Sequence, residues 1–95
     1  MNYDIIVKSE QSLYFKIKVW LKTMQFYQRL KDIREDNDKT QVQIANILQT
    51  TQSYYGQYER GNRKLPIEHL RTLCIYYNVT ADYLLGLIDE PRPLK

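Results

Sequence analysis

Residues 40–61 read TQVQIANILQTTQSYYGQYERG, and the fold follows from how this stretch folds locally. Thr40 followed three residues later by Gln43 is a capping box: the hydroxyl accepts from a first-turn amide, and the glutamine side chain reaches back to the cap. Ile44, Ala45 and Leu48 then recur at helical spacing, which predicts a short helix. Gln49 and Thr50 interrupt it. Thr51 can cap a second helix in which Tyr55 and Tyr58 face inward, while Gln52, Ser53, Gly56 and Gln57 face outward. Two short helices with so brief a break read as a helix-turn-helix.

Several pieces of the chain, in order, carry a resemblance. They are T-Q-x-x-I-A-x-x-L at 40–48, T-Q-S at 51–53 and Y-E-R-G at 58–61. Leu65-Pro66 and the run 70–86, which ends in N-V-T-A-D-Y-L-L-G, continue the pattern. Together they resemble the Cro and phage-repressor type of helix-turn-helix domain, also called the xenobiotic-response-element family. The likeness covers about residues 27–87; nothing before Met24 shares in it. It implies a mainly α fold, a five-helix phage-repressor-like domain.

The whole chain bounds the function. Its 95 residues allow one domain with one modest core. A net charge of +3 and a pI near 9.0 suit a polyanionic partner without demanding one. The single cysteine, Cys74, excludes an internal disulfide, and no Cys/His cluster offers a metal site. No apolar run is long enough for a membrane span, and lysines interrupt every candidate signal-peptide core. A cytoplasmic protein without cofactor or metal is expected, and not an enzyme, since no catalytic constellation is visible.

Ahead of the resemblance, residues 1–23 have another pattern. Ile5-Ile6-Val7 is β-branched, and 9–12 is polar. Residues 13–22 then alternate, with Phe15, Ile17, Val19 and Leu21 on one side and Lys16, Lys18, Trp20 and Lys22 on the other. Period two predicts a β-hairpin, with a helix as the rival. Residues 1–23 are thus expected to be an N-terminal β-hairpin extension, 24–88 the helix-turn-helix domain and 89–95 a flexible tail. Within the domain, Tyr27, Leu30, Ile33 and Arg34 share one face of a first helix from about Phe26. Pro66 opens a later helix whose buried face is Ile67, Leu70, Leu73, Cys74 and Tyr77, with His69 on its polar side. Thr80 caps a last short helix from which Tyr83, Leu84 and Leu87 pack, and Gly86 ends it.

Glutamine can bond adenine bidentately in the major groove, and such folds insert the N-terminal end of the second helix. Gln52, Ser53 and Gln57 occupy that end. The resemblance implies that Gln52 is a main base reader and that Gln41, eleven residues earlier, contacts phosphate and steadies it. Gly56 would let the backbone approach DNA closely, and Tyr54 would reach a thymine methyl or a phosphate. Asn62, Arg63 and Lys64 lie where the family sets amides and cations against phosphate. Arg34 and Glu59 match a family pair that forms an inter-helical salt bridge under the motif. Cys74 stands where alanine is common in the family, which implies a buried thiol. Gln49 stands where the turn often has glycine.

The function implied is a sequence-specific DNA-binding transcriptional regulator, a repressor acting as a homodimer on a two-fold operator in double-stranded DNA. The alternative is an antitoxin, in which the N-terminal hairpin would grip a toxin partner.

Overall fold

The computed structural model describes residues 12–95. They form five helices: α1 (Leu13–Asp36), α2 (Gln41–Ile47), α3 (Gln52–Arg60), α4 (Ile67–Tyr77) and α5 (Ala81–Leu84). No strand occurs among the described residues. The alternating segment 13–22, expected as a strand of an N-terminal hairpin, is instead the first part of α1. Ser12 opens that helix, its hydroxyl accepting from the Phe15 amide at 3.1 Å. A helix satisfies its own backbone donors and acceptors, whereas a lone hairpin is marginal in water. The other expected strand, near residues 5–7, lies outside the described residues.

α2 and α3 are set by their caps. Thr40 Oγ1 accepts from the Gln43 amide at 3.1 Å, and Gln43 Oε1 accepts from the Thr40 amide at 2.8 Å. Thr51 caps α3 by accepting from the Tyr54 amide at 3.1 Å. Between them Gln49 adopts a left-handed φ of 57°, and the Thr50 amide closes back on the Ala45 carbonyl at 2.9 Å. A side chain in that region crowds its own backbone, at a cost of roughly 1–2 kcal/mol. Gln49→Gly should therefore raise stability by about 0.5–1 kcal/mol, after allowing for the greater freedom of unfolded glycine. The urea midpoint reads this directly, and a midpoint that fails to rise would show an unstrained turn.

The core joins Leu30 and Ile33 of α1 to Ile44, Ala45 and Leu48, to Tyr55 and Tyr58 of α3, and to Leu73, Cys74, Val79 and Leu84. α1 is fastened at its middle by Arg29, whose guanidinium donates to the Tyr83 carbonyl at 2.6 Å and the Ile88 carbonyl at 3.1 Å. It also lies 4.1 Å above the Tyr83 ring. The Cys74 thiol is free and buried, and burial pushes its pKa up, which leaves it a weak nucleophile.

Four expected placements are corrected. Ile67 and Leu87 point to solvent rather than into the core, at 73% and 56% exposure. His69 is not on a purely polar face: its ring meets Tyr58 edge-on at 5.9 Å, with Nδ1 buried. The Thr80 hydroxyl bonds the Asp82 carboxylate instead of a first-turn amide. Residues 89–95 carry no regular structure. The Arg92 carbonyl nevertheless accepts from the Thr80 amide at 2.9 Å, and its guanidinium lies 3.3 Å from Asp82.

Candidate nucleic-acid interface

The foundation of the site is a buried ion pair. Arg34 comes from the last turn of α1 because its phase follows Leu30 and Ile33, and Glu59 comes from the last turn of α3. Arg34 Nε donates to Glu59 Oε2 at 2.7 Å, and Nη2 donates to Oε1 at 3.1 Å. The third guanidinium arm, Nη1, donates to the Lys39 carbonyl at 2.9 Å. The pair is nearly dry, with the two side chains 11% and 3% exposed. Burial by itself would raise the Glu59 pKa, but hydrogen bonds from Arg34 and Gln41 outweigh it and hold the carboxyl below its ordinary value. The same pairing raises the Arg34 pKa. The expected Arg34–Glu59 bridge is therefore bidentate and fully formed.

From this pair a chain of amides runs to the surface. Gln41 Nε2 donates to Glu59 Oε1 at 3.0 Å, which turns Gln41 Oε1 outward. Gln52 Nε2 then donates to that oxygen at 2.9 Å. An amide nitrogen has two hydrogens, and this contact uses one. Gln52 keeps its second N–H and its Oε1, the donor and acceptor pair that adenine N7 and N6 require. The hydrogen bond to Gln41 restrains the Gln52 side chain. Gln52 and Ser53 are exposed on the first turn of α3. The structure brings Gln41 and Gln52 together, the arrangement that the family resemblance implies.

Gly56 is not on the outward face. It is buried where α3 meets α2. A methyl group built on it would lie 3.1 Å from Arg60 Nη1 and 3.4 Å from Gln41 Oε1. A side chain here would crowd the Arg60 guanidinium and stand at ordinary contact distance from Gln41. Arg60 escaped the sequence argument, which treated it only as part of Y-E-R-G; its position in the last turn of α3, one helical turn beyond Gly56, was the available signal. It is an exposed cation beside the amide chain.

The loop after α3 begins with Gly61, in the left-handed region at φ 75°. A Cβ there would stand 2.6 Å from the Tyr27 ring, so glycine is required on both counts. Asn62, Arg63 and Lys64 follow, all exposed. Arg63 turns back toward α3: Nε donates to Gln57 Oε1 at 3.3 Å, and the guanidinium sits 4.2 Å over the Tyr54 ring. Tyr54, Gln57 and Arg63 therefore form one cluster beside Gln52 and Ser53, with Lys64 free at its edge. Among the described residues, no three His, Cys, Asp or Glu side chains are grouped to hold a metal, and no helix is long and apolar enough to cross a membrane.

Over residues 27–90 the chain matches the family described as "Helix-turn-helix domain". It is 38% identical over 68 residues to the uncharacterized HTH-type transcriptional regulator YobD of Bacillus subtilis (strain 168), covering 72% of this chain and 61% of that protein. It is 36% identical over 63 residues to the HTH-type transcriptional regulator ImmR of the same organism, covering 66% of this chain and 50% of that protein. The chain spans about half to three fifths of the length of these curated relatives. No solved structure matches it. The family match starts inside α1, just ahead of Arg34, and takes in both capped helices, the ion pair and the amide chain between them. The chain belongs to the helix-turn-helix domain family, in its Cro and phage-repressor, or xenobiotic-response-element, form.

Proposed function

We propose that the protein is a sequence-specific DNA-binding transcriptional regulator that represses by occupying a two-fold operator as a homodimer. The observation that carries this reading is the chain Arg34–Glu59–Gln41–Gln52, which presents one preset glutamine at the N-terminal end of α3. The names of YobD and ImmR as transcriptional regulators support it. In this account Gln52 reads a base edge, with Ser53, Tyr54 and Gln57 beside it. Gln41 contacts phosphate while holding Gln52. Asn62, Arg63, Lys64 and Arg60 contact the backbone of the duplex and fix register without reading sequence.

Selection of binding sites from random DNA tests the proposal. The expected product is a consensus of two inverted half-sites with centres about 34 Å apart, one turn of the duplex. A pool that never converges would refute sequence reading; convergence on a single unrepeated site would refute the two-fold operator.

The basic loop carries its own expectation. Lys64→Ala should weaken binding to every sequence alike and flatten the slope of log K against log salt by about 0.9, the value for one lost phosphate contact. An unchanged slope would remove Lys64 from the interface.

A further inference from the structure

α1 is much longer than its share of the core. Its buried residues, Leu30, Ile33 and Arg34, all lie in the C-terminal half. The N-terminal half extends beyond the body, so that the described chain measures 49 Å along its longest axis and 21 Å along its shortest. This projecting half is apolar on more than one side: Phe15 and Val19, 39% and 48% exposed, line a groove with Leu85 and Leu87, and a second row lies apart from that groove. Leu13, Ile17, Trp20 and Met24 are 72%, 47%, 59% and 44% exposed. Their spacing of four, three and four residues places them in one row along the helix, the seam of a coiled coil. Leu21, half exposed, widens the row.

From this row, and resting on the homodimer reading above, we infer that the seam Leu13–Ile17–Trp20–Met24 is the dimer interface, occupied by the same seam of a second copy running antiparallel. The pairing is self-complementary. Turning one helix about a two-fold axis midway between Ile17 and Trp20 sets Ile17 against Trp20 and Leu13 against Met24. On the flanks Tyr14 meets Leu21 and Lys16 meets Thr23. Residues 13–25 hold Lys16, Lys18 and Lys22 and no acidic residue, so self-association requires that lysines not face one another. The antiparallel register meets that condition, because Lys18 and Lys22 fall off the seam and line the groove against Leu85 and Leu87 instead. A specific interface at the lower bound of about 1,200 Å² in total takes about 600 Å² from each copy, and the exposed Leu13, Tyr14, Ile17, Trp20, Leu21 and Met24 are the apolar surface available for it. The two-fold that joins the helices is the symmetry that a two-fold operator needs.

Sedimentation equilibrium of the full chain tests the inference. The wild type should sediment as a reversible dimer. Ile17→Glu and Trp20→Glu, at the middle of the seam, should each weaken the dimer constant by at least about tenfold, as expected for a central contact. Lys18→Gln, which changes net charge by the same amount off the seam, should leave the constant unchanged. Circular dichroism of each variant checks that the helices remain, and Trp20→Ala provides a milder change at the same position. A wild type that stays monomeric at every concentration would overturn the inference, as would seam variants that remain helical and dimerise as the wild type does. Titration with a half-site duplex separates this result from the DNA-binding reading. Seam variants should bind a half-site as the wild type does, and a wild-type dimer that binds no DNA would count against the DNA reading alone.

Discussion

Glu59→Ala should cost about 3–5 kcal/mol of folding stability, the range for removing one partner of a buried pair. The mutation leaves the Arg34 guanidinium, only 11% exposed, with the Lys39 carbonyl as its remaining hydrogen-bond partner. It also strands Gln41 Nε2, which now donates to Glu59 Oε1. An exposed ion pair of the same geometry would contribute less than about 1 kcal/mol, so the size of the loss decides whether the pair is dry in solution. Denaturant unfolding measures it. A loss below about 1 kcal/mol would mean that water reaches the pair.

The same residue sets a dependence on pH. The Glu59 pKa is lower folded than in its ordinary state, so the folded protein holds the ionised form more tightly than the unfolded chain does. Its contribution is complete above the ordinary carboxylate value and fades as pH falls through the folded pKa. Arg34 stays charged throughout this range. The stability gap between wild type and Glu59→Gln should therefore be widest near neutrality and shrink below about pH 4.

The caps of α2 and α3 were readable in the sequence as local signals, and the Arg34–Glu59 pair was legible only through the family resemblance. Segment 13–22 was not. Its apolar residues satisfy two periods at once, with Phe15, Ile17, Val19 and Leu21 alternating while Leu13, Ile17, Trp20 and Met24 recur at helical spacing. Short runs with apolar residues on several sides cannot be assigned by period alone. Ser12, three residues before Phe15, was the deciding cap. With that segment helical, the hairpin surface invoked for an antitoxin loses one of its two strands.

Gly56 failed for another reason. Helical phase places it outward on an isolated α3, but α2 covers that sector, and no sequence period reports which neighbour fills a face. The amide chain was likewise only half visible. The family resemblance implied that Gln41 steadies Gln52, whereas the link from Gln41 down to Glu59 depends on how α1, α2 and α3 pack.

The central claim is that Gln52, held by Gln41, reads a base. Gln52→Ala should lose about 1–3 kcal/mol on the selected duplex, or roughly fivefold to 150-fold in affinity, because a bidentate contact to one base pair is worth that much. On random DNA the loss should be small, since binding there rests on phosphate contacts that Gln52 does not make. Fold is not at issue: Gln52 is exposed, and Thr51 still caps the helix without it. The measurement is a pair of titrations at one salt concentration, wild type and variant each against the selected duplex and a random one. Loss confined to the selected duplex is the predicted result, and equal losses on both duplexes, or none on either, would contradict it.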